Sequence, residues 1–489
     1  MNARLSCCSA IGLLLATNLI LAESVSNEIP PLSPTATIGG QSGKEFATVQ
    51  SALEAAPSGA VIYLSAGRFN ERIVIRKPVT VVGAGAGETI LGPTKTEQED
   101  HWDEATSISR MIDDKMRTVA EANPPREITE KEADNIKRDY KKMSRLVETC
   151  LEPVVLIEGI EKVVLRALGV TMPLTPTEGS GLQVTAAVKV DSAEVQLIEC
   201  AIVGCMSNGI GVTGNSILEI KNCLVAACWG TGVTSSHPND SVVHIADSDI
   251  RNNYHYNISL GVEKCDIEGC RISGTAWSGI STGAKRVLIE RNAIFHNSRG
   301  IYSVGENGVV RNNLIYRNNV GASCWSPEEP LYEANLFLEN KQSALFVSGP
   351  AVPEIRQNMI VDSLIGVKYG PMKITGGEKP HASEYAIEGN LFWKIGTPTV
   401  VSPSRETSSL DKPIEVLDTE GNRRVDPQLS IADHQQLKIG NVDLLREKNF
   451  QVLTKITLQS RWPATPEELA MIPDDGTVQS SKWKKRQKN

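Results

Sequence analysis

The 489-residue sequence is short of aromatic residues, which make up 5% of it, and short of long apolar runs. Beyond the amino-terminal stretch Ala10 to Ala22, no segment approaches the ~20 apolar residues that a membrane-spanning helix requires. Positive charge is not in excess either: the formal net charge is -8, so no global basic field exists to attract nucleic acid. Motifs that would announce a reaction are missing as well. The chain contains no phosphate loop and no Cys-x-x-Cys pair. His237, His244, His296 and His381 show no metal-ligand spacing, and calcium held by Asp240, Asp247 or Asp249 has no motif behind it. No cofactor is therefore expected.

What is present begins with targeting. The short basic stretch Asn2 to Arg4, followed by the apolar run ending at Leu21-Ala22, reads as a signal peptide over 1–22, with the mature chain starting near Glu23. The expected location is secreted, periplasmic or on the cell surface, with no membrane span once that segment is removed. Of ten cysteines, Cys7 and Cys8 fall in the signal. The other eight are Cys150, Cys200, Cys205, Cys223, Cys228, Cys265, Cys270 and Cys324, an even number that permits disulfides in an exported protein.

From about Ala186 to Phe392 a pattern repeats: apolar, two variable residues, a small polar residue or Cys, one variable, apolar, as in Ile289-Glu-Arg-Asn292-Ala-Ile294. The polar position recurs at Cys200, Cys223, Ser248, Cys270, Asn292, Asn313, Asn335, Asn358 and Asn390. A second series follows five residues later, at Cys205, Cys228, Asn253, Thr275, Asn297, Asn318, Asn340 and Ser363. A third marker is a glycine leading alternating apolar residues, as at Gly209, Gly279, Gly300 and Gly366.

Repeats this thin cannot bury an apolar face singly, so neighbouring coils must stack on one continuous core. Stacking at ~4.8 Å puts like residues over one another, so buried asparagines can pass hydrogen bonds from coil to coil. Asn also suits the left-handed bends between strands. The cysteines in the same series are then small buried residues. A Cys200–Cys223 or Cys205–Cys228 bridge would be within reach of stacked neighbours.

These repeats resemble the right-handed parallel β-helix proteins of the pectate-lyase-like superfamily. The resemblance implies an all-β, single-stranded right-handed parallel β-helix of about ten coils. The segment Phe46-Ala-Thr-Val-Gln-Ser-Ala-Leu-Glu-Ala-Ala-Pro57, then Val61-Ile-Tyr-Leu-Ser-Ala-Gly67-Arg-Phe-Asn-Glu71, is similar to the amino-terminal piece of pectin methylesterases. Val49, Leu53 and Ala56 share one helical face there, suited to capping the solenoid. The esterases' Gln-Asp and Asp-Phe-Ile-Phe-Gly signatures have no counterpart here.

Departures from the period set the expected organisation: signal 1–22, linker 23–36, cap and first coils 37–94, insertion 95–152, repeats 153–400, and a carboxy-terminal wrap with a basic tail over 401–489. The insertion has helical period. Trp102, Ala105, Ile112, Met116 and Val119 make one stripe, Pro124-Pro125 a turn, and Ala133, Ile136, Tyr140, Met143 and Val147 the facing stripe. Such a hairpin packs on itself, or leans over the solenoid and docks a protein partner.

Two rows could carry function. Lys221, Ala246, Glu268, Glu290, Arg311, Glu333, Arg356 and Glu388 should line one solvent face, with alternating sign from Glu290 onward as paired neighbours would have. The other row gathers the scarce aromatics just before the Gly-led strands: Trp229, Tyr254, Tyr256 and Trp277, with His255, Arg299, Tyr302, Trp325 and Phe346. Flat rings spaced by coils match an extended polysaccharide, because sugars stack their C–H faces on them.

A lyase or epimerase acting on an acidic polysaccharide needs a proton carrier and a cation. His255 or Tyr302 fits the first role and Arg299 the second, with Trp229, Tyr254, Tyr256 and Trp277 binding the chain. The alternative is a non-catalytic glycan-binding or surface-interaction protein.

Overall fold

A computed structural model describes residues 35–39, 45–93, 152–172, 185–235, 238–305, 307–325, 329–348, 351, 353–370 and 387–401. It also describes scattered positions within 103–142, and 412–413, 421–432, 436–439, 441, 453, 456, 459–460 and 462–463. The expected signal segment, nearly all of the linker, most of the helical insertion and the basic tail lie outside the described residues. Within the insertion the described positions are helical, and Lys142 Nζ lies 2.7 Å from Glu104. No helix among the described residues is long and apolar enough to cross a membrane.

The chain winds as a parallel β-solenoid whose turns build three sheets of 14, 12 and 13 strands. One turn shows the order: Arg286–Glu290 in the first sheet, Ala293–Phe295 in the second, Arg299–Ser303 in the third, then Val309–Arg311 back in the first. From Val79–Val82 to Ile387–Glu388 every pairing in the first sheet is parallel and in register. At the entrance, Ala36–Ile38 pairs antiparallel with Ala60–Leu64, and at the far end Thr397–Val401 pairs antiparallel with Lys412–Pro413. Both blunt a sheet edge.

The one short helix described in full, Val49–Ala55, buries Val49, Ala52 and Leu53 in the same core as the coils. Its free amides are satisfied by side chains: Val49 and Gln50 donate to the Glu71 carboxylate at 2.7 and 3.0 Å, and Ser51 donates to Thr48 Oγ1.

The asparagines are piled in register. Asn292 donates its backbone N–H to Asn313 Oδ1 at 3.0 Å and its Nδ2 to Ile267 O at 2.9 Å. Asn313, Asn335, Asn358 and Asn390 repeat that arrangement, each bonded to the next. The series ends one rung later than its visible period: Asn390 donates to Asn422 Oδ1 at 2.8 Å, 32 residues on. In the earlier coils the acceptors are smaller, with Cys200 N–H on Cys223 Sγ at 3.4 Å and Cys223 N–H on Ser248 Oγ at 3.0 Å.

The bends differ from expectation in one respect. Left-handed backbone falls on the residue before each ladder position, at Arg291 (φ 56), Asn312 (φ 57), Ala334 (φ 54) and Gln357 (φ 55), and not on the ladder asparagine itself. The asparagine is there for its amide. The preceding residue takes the strained conformation that lets the strand turn through the corner.

Cys200, Cys205, Cys223, Cys228, Cys265, Cys270 and Cys324 are buried free thiols, so neither candidate bridge forms; Cys150 lies outside the described residues. Burial, the largest effect, pushes the Cys270 thiol up to about 12, while the hydrogen bond with Cys223 pulls the Cys200 thiol down.

Glycines lead the third-sheet strands because the coils approach closely there. A Cβ on Gly279 would sit 2.6 Å from Gly300 O and 3.0 Å from Asn297 Nδ2, and Gly300 and Gly321 face the same collision with the next coil.

The outer faces differ from sheet to sheet. The first carries the anticipated charge row in register from Lys221 to Glu388. Arg311 pairs with Glu290 at 2.7 Å and Arg356 with Glu333 at 3.0 Å. The like-charged neighbours Glu268 and Glu290 are held by one guanidinium, Arg291, at 2.6 and 2.7 Å.

From Ala293–Phe295 to Leu391–Trp393 the second sheet is apolar outside as well as inside. Leu314, Leu336, Met359 and Leu391 pack against Leu437, Ile439, Leu453 and Ile456 from the carboxy-terminal segment. That segment runs back along the solenoid instead of only closing its end. Ser460 bonds to Asp249 and Arg251, Arg251 reaches Pro463 O at 2.8 Å, and Trp462 lies on Val203, Leu224 and Ala226.

Two predictions follow from this packing. Asn335→Ala removes an acceptor for Asn313 and a donor to Val310 O (2.8 Å), and should lower stability by about 3 kcal/mol, read by denaturant unfolding. Tyr332 is fully buried and, among the described residues, its hydroxyl has no hydrogen-bond partner. Tyr332→Phe should therefore raise the melting temperature, a gain of about 1 kcal/mol. A lower melting temperature would show that the hydroxyl is satisfied.

Candidate functional site

The third sheet carries the candidate residues on its outer face. Its inward residues Ile258, Ile280, Ile301, Leu345 and Val367 belong to the core, which turns Ser259, Tyr302, Phe346 and Lys368 outward. The seven strands from Val233–Ser235 to Ile365–Tyr369 contain no Asp or Glu, while carrying Arg299 and Lys368. This is the reverse of the first sheet, where acids and bases alternate.

The aromatic residues meet along the edge where the chain enters these strands. Trp229 and Tyr254 meet in adjacent coils, their rings tilted by 41° with centroids 6.1 Å apart. His255 lies flat on Trp277, the rings 5.8 Å apart and only 6° from parallel, and Tyr256 tilts against the other side of the same indole region at 6.1 Å. Trp277 is 50% exposed, although it is large and apolar. Farther along, Tyr302, Trp325 and Phe346 form a second run at 5.7 and 5.4 Å, with Trp325 39% exposed.

An extra residue makes room for the first run. Between the second ladder and the leading Gly or Asn, coils such as Asn253-Tyr-His-Tyr-Asn257 and Thr275-Ala-Trp-Ser-Gly279 insert three residues, where Asn297-Ser-Arg-Gly300 inserts two. The longer bend pushes its rings outward.

Arg299 joins the two runs. Its guanidinium sits 5.1 Å over the Tyr302 ring and 6.0 Å from that of Trp325, and among the described residues it has no carboxylate partner. Arg291, Arg311, Arg317 and Arg356 all have one. A half-buried cation resting on rings is positioned for an incoming anion.

The electrostatics follow burial. Desolvation pushes the His255 imidazole below its ordinary value, so the ring is neutral at pH 7. Burial raises the Tyr256 phenol, with Tyr302 raising it further and Arg299 opposing, which places all three groups within one another's field.

The sequence-derived residues are thus gathered into one strip, but not all at one point. Tyr256, Ser278 and Arg299 occupy successive coils in register, so His255 lies about two coil rises, roughly 10 Å, from Arg299. Tyr302 shares the strand Arg299–Ser303 with the cation. Reading the sequence missed Lys368, whose signal was its place 22 residues after Phe346, the period of the coils. No group of three or more His, Cys, Asp or Glu side chains among the described residues is arranged to hold a metal. Asp249, one calcium candidate, is committed to Arg251 and Ser460.

Residues 178–282 and 258–376 match the family model described as right handed beta helix region. This part of the chain is a right-handed β-helix. No curated protein matches the sequence. Similar solved structures include a mannuronan C-5 epimerase A-module of Azotobacter vinelandii, at 12% identity, covering 78% of this chain and 94% of that one with a TM-score of 0.38. A periplasmic alginate epimerase is similar at 12% identity, 83% and 99% coverage and a TM-score of 0.37. A mannuronic acid specific polysaccharide family 6 lyase from human gut microbiota gives 10%, 83% and 92%, and 0.37. Identities and scores this low transfer no activity to the β-helix described here.

The stacking of His255 on Trp277 makes a prediction. In Trp277→Ala the imidazole regains water, so its titration midpoint, followed by NMR of the ring protons, should move up toward 6.5 from its lower native value. An unchanged midpoint would show that the indole does not desolvate the ring.

Proposed function

We propose that the third sheet of this exported β-helix protein binds an extended acidic polysaccharide along the strip from Trp229 to Phe346. The observation that carries this reading is Arg299, with no carboxylate partner among the described residues, set among exposed rings on strands that contain no Asp or Glu. The strip spans five coil rises, about 24 Å, enough to engage several sugars at once. Rings receive the apolar faces of the sugars, and the cation receives a carboxylate.

The fuller form of the proposal is elimination or epimerisation at the sugar next to Arg299. Both reactions remove the proton alpha to a carboxylate, and neutralising that carboxylate stabilises the carbanion-like charge. Tyr302 is the proton carrier adjacent to the cation. His255, neutral and two coils away, serves a neighbouring subsite unless the polymer bends back to it. That separation favours the second reading, a glycan-binding protein with no chemistry, in which Trp229, Tyr254, Tyr256, Trp277 and Arg299 only hold the chain.

One experiment separates the readings. The purified protein is incubated with pectate, alginate and glycosaminoglycans while absorbance of unsaturated products is recorded, and epimers are sought by NMR. Product formation abolished by Tyr302→Phe supports catalysis, whereas retention on a glycan column without product supports binding alone. Trp277→Ala should weaken retention about fivefold, consistent with loss of one stacking contact, and leave unfolding cooperative. Full retention by that variant would remove the strip from consideration.

A further inference from the structure

The cations on the third sheet are few and far apart. Phe346 pairs in register with Lys368 in the next coil, so the lysine continues the row that Tyr302, Ser323 and Phe346 form on the outer face. Like Arg299, Lys368 is half-buried and has no carboxylate partner among the described residues. Between the two lie Trp325 and Phe346 and no other charge on the strands. The interval is three coil rises, about 14 Å.

A homopolyuronate carries a carboxylate on every sugar. Laid along this strip, it would bring anions over Trp325 and Phe346, where the described strands offer no cation and the rings displace their water; a desolvated, unpaired charge is strongly unfavourable. A chain in which acidic sugars alternate with uncharged ones avoids that cost, because its uncharged members stack on the rings while its carboxylates reach Arg299 and Lys368.

We infer that Lys368 is a second anion-receiving position and that the strip selects a heteroglycan with interspersed acidic sugars over a homopolyuronate. The inference rests on the third sheet being the glycan-binding face. It concerns which acidic polymer that face takes.

The test compares, at low salt and by calorimetry, oligosaccharides of hyaluronan, with one carboxylate per disaccharide, and of polygalacturonate, with one per sugar. The native protein should bind the first at least tenfold more tightly. Lys368→Ala should lower hyaluronan affinity about fivefold and erase most of the preference, while Lys221→Ala, on the outer face of the first sheet, should leave both affinities unchanged. Equal or tighter binding of polygalacturonate, or an unaltered preference in Lys368→Ala, overturns the inference and leaves the glycan-binding reading standing. Failure of the native protein to bind either polymer, with Trp277→Ala no different, overturns that reading itself.

Discussion

Everything in this molecule depends on the interval between coils being the same at every corner. That interval is fixed by amides that bond along the stack: each ladder asparagine accepts from the backbone of the coil before it and donates to a carbonyl within the core. Inside an apolar interior, an unmet backbone N–H costs on the order of 1–3 kcal/mol, so the ladder ties the placement of each turn to that of the next. The glycines at the opposite corner impose the same interval sterically, since a methyl group there would meet the neighbouring carbonyl. Rings that hang from successive bends inherit this regularity, and the strip along the third sheet is its outward expression.

With the interior spoken for, the three outer walls are finished in three ways. Paired charges cover the first, and Arg291 reconciles the two carboxylates that stacking would otherwise set against each other. The second is covered by the chain's own carboxy-terminal segment, which buries leucines on both sides of the contact. The third receives neither treatment. It keeps large rings in water and a cation that has no carboxylate partner among the described residues, the two features on which the proposed glycan site rests.

The winding was legible because its cause is local and repeated: one polar residue of fixed size at a fixed interval, flanked by inward apolar residues. The charge row from Glu290 to Glu388 was readable for the same reason. Legibility failed where the repeat was interrupted or the determinant was conformational. Asn422 was hidden because Thr419 and Arg424 stand where the repeat has its flanking apolar residues, and the left-handed residues Arg291, Ala334 and Gln357 share no side-chain chemistry that would mark them. The strip's members could be named from spacing alone, but not that His255 faces Trp277 while Arg299 faces Tyr302, since that depends on whether two or three residues fill the bend. Lys368 was passed over because a lysine on a strand is ordinarily a solvated edge residue, and only its register with Phe346 gives it meaning.

The route of the carboxy-terminal segment bears on how the molecule is completed. Ser460 and Pro463 meet Arg251 across more than 200 positions of chain, and Trp462 rests on a wall laid down by Val203 and Leu224. A polypeptide that winds from its amino terminus as it emerges from the ribosome will carry that wall uncovered until residues 460–463 have been made, more than 200 positions later. The coils can therefore assemble early, but the greasy flank between them and water is sealed only when that segment follows, and a chain cut short before it would be well wound and yet prone to stick to its own kind.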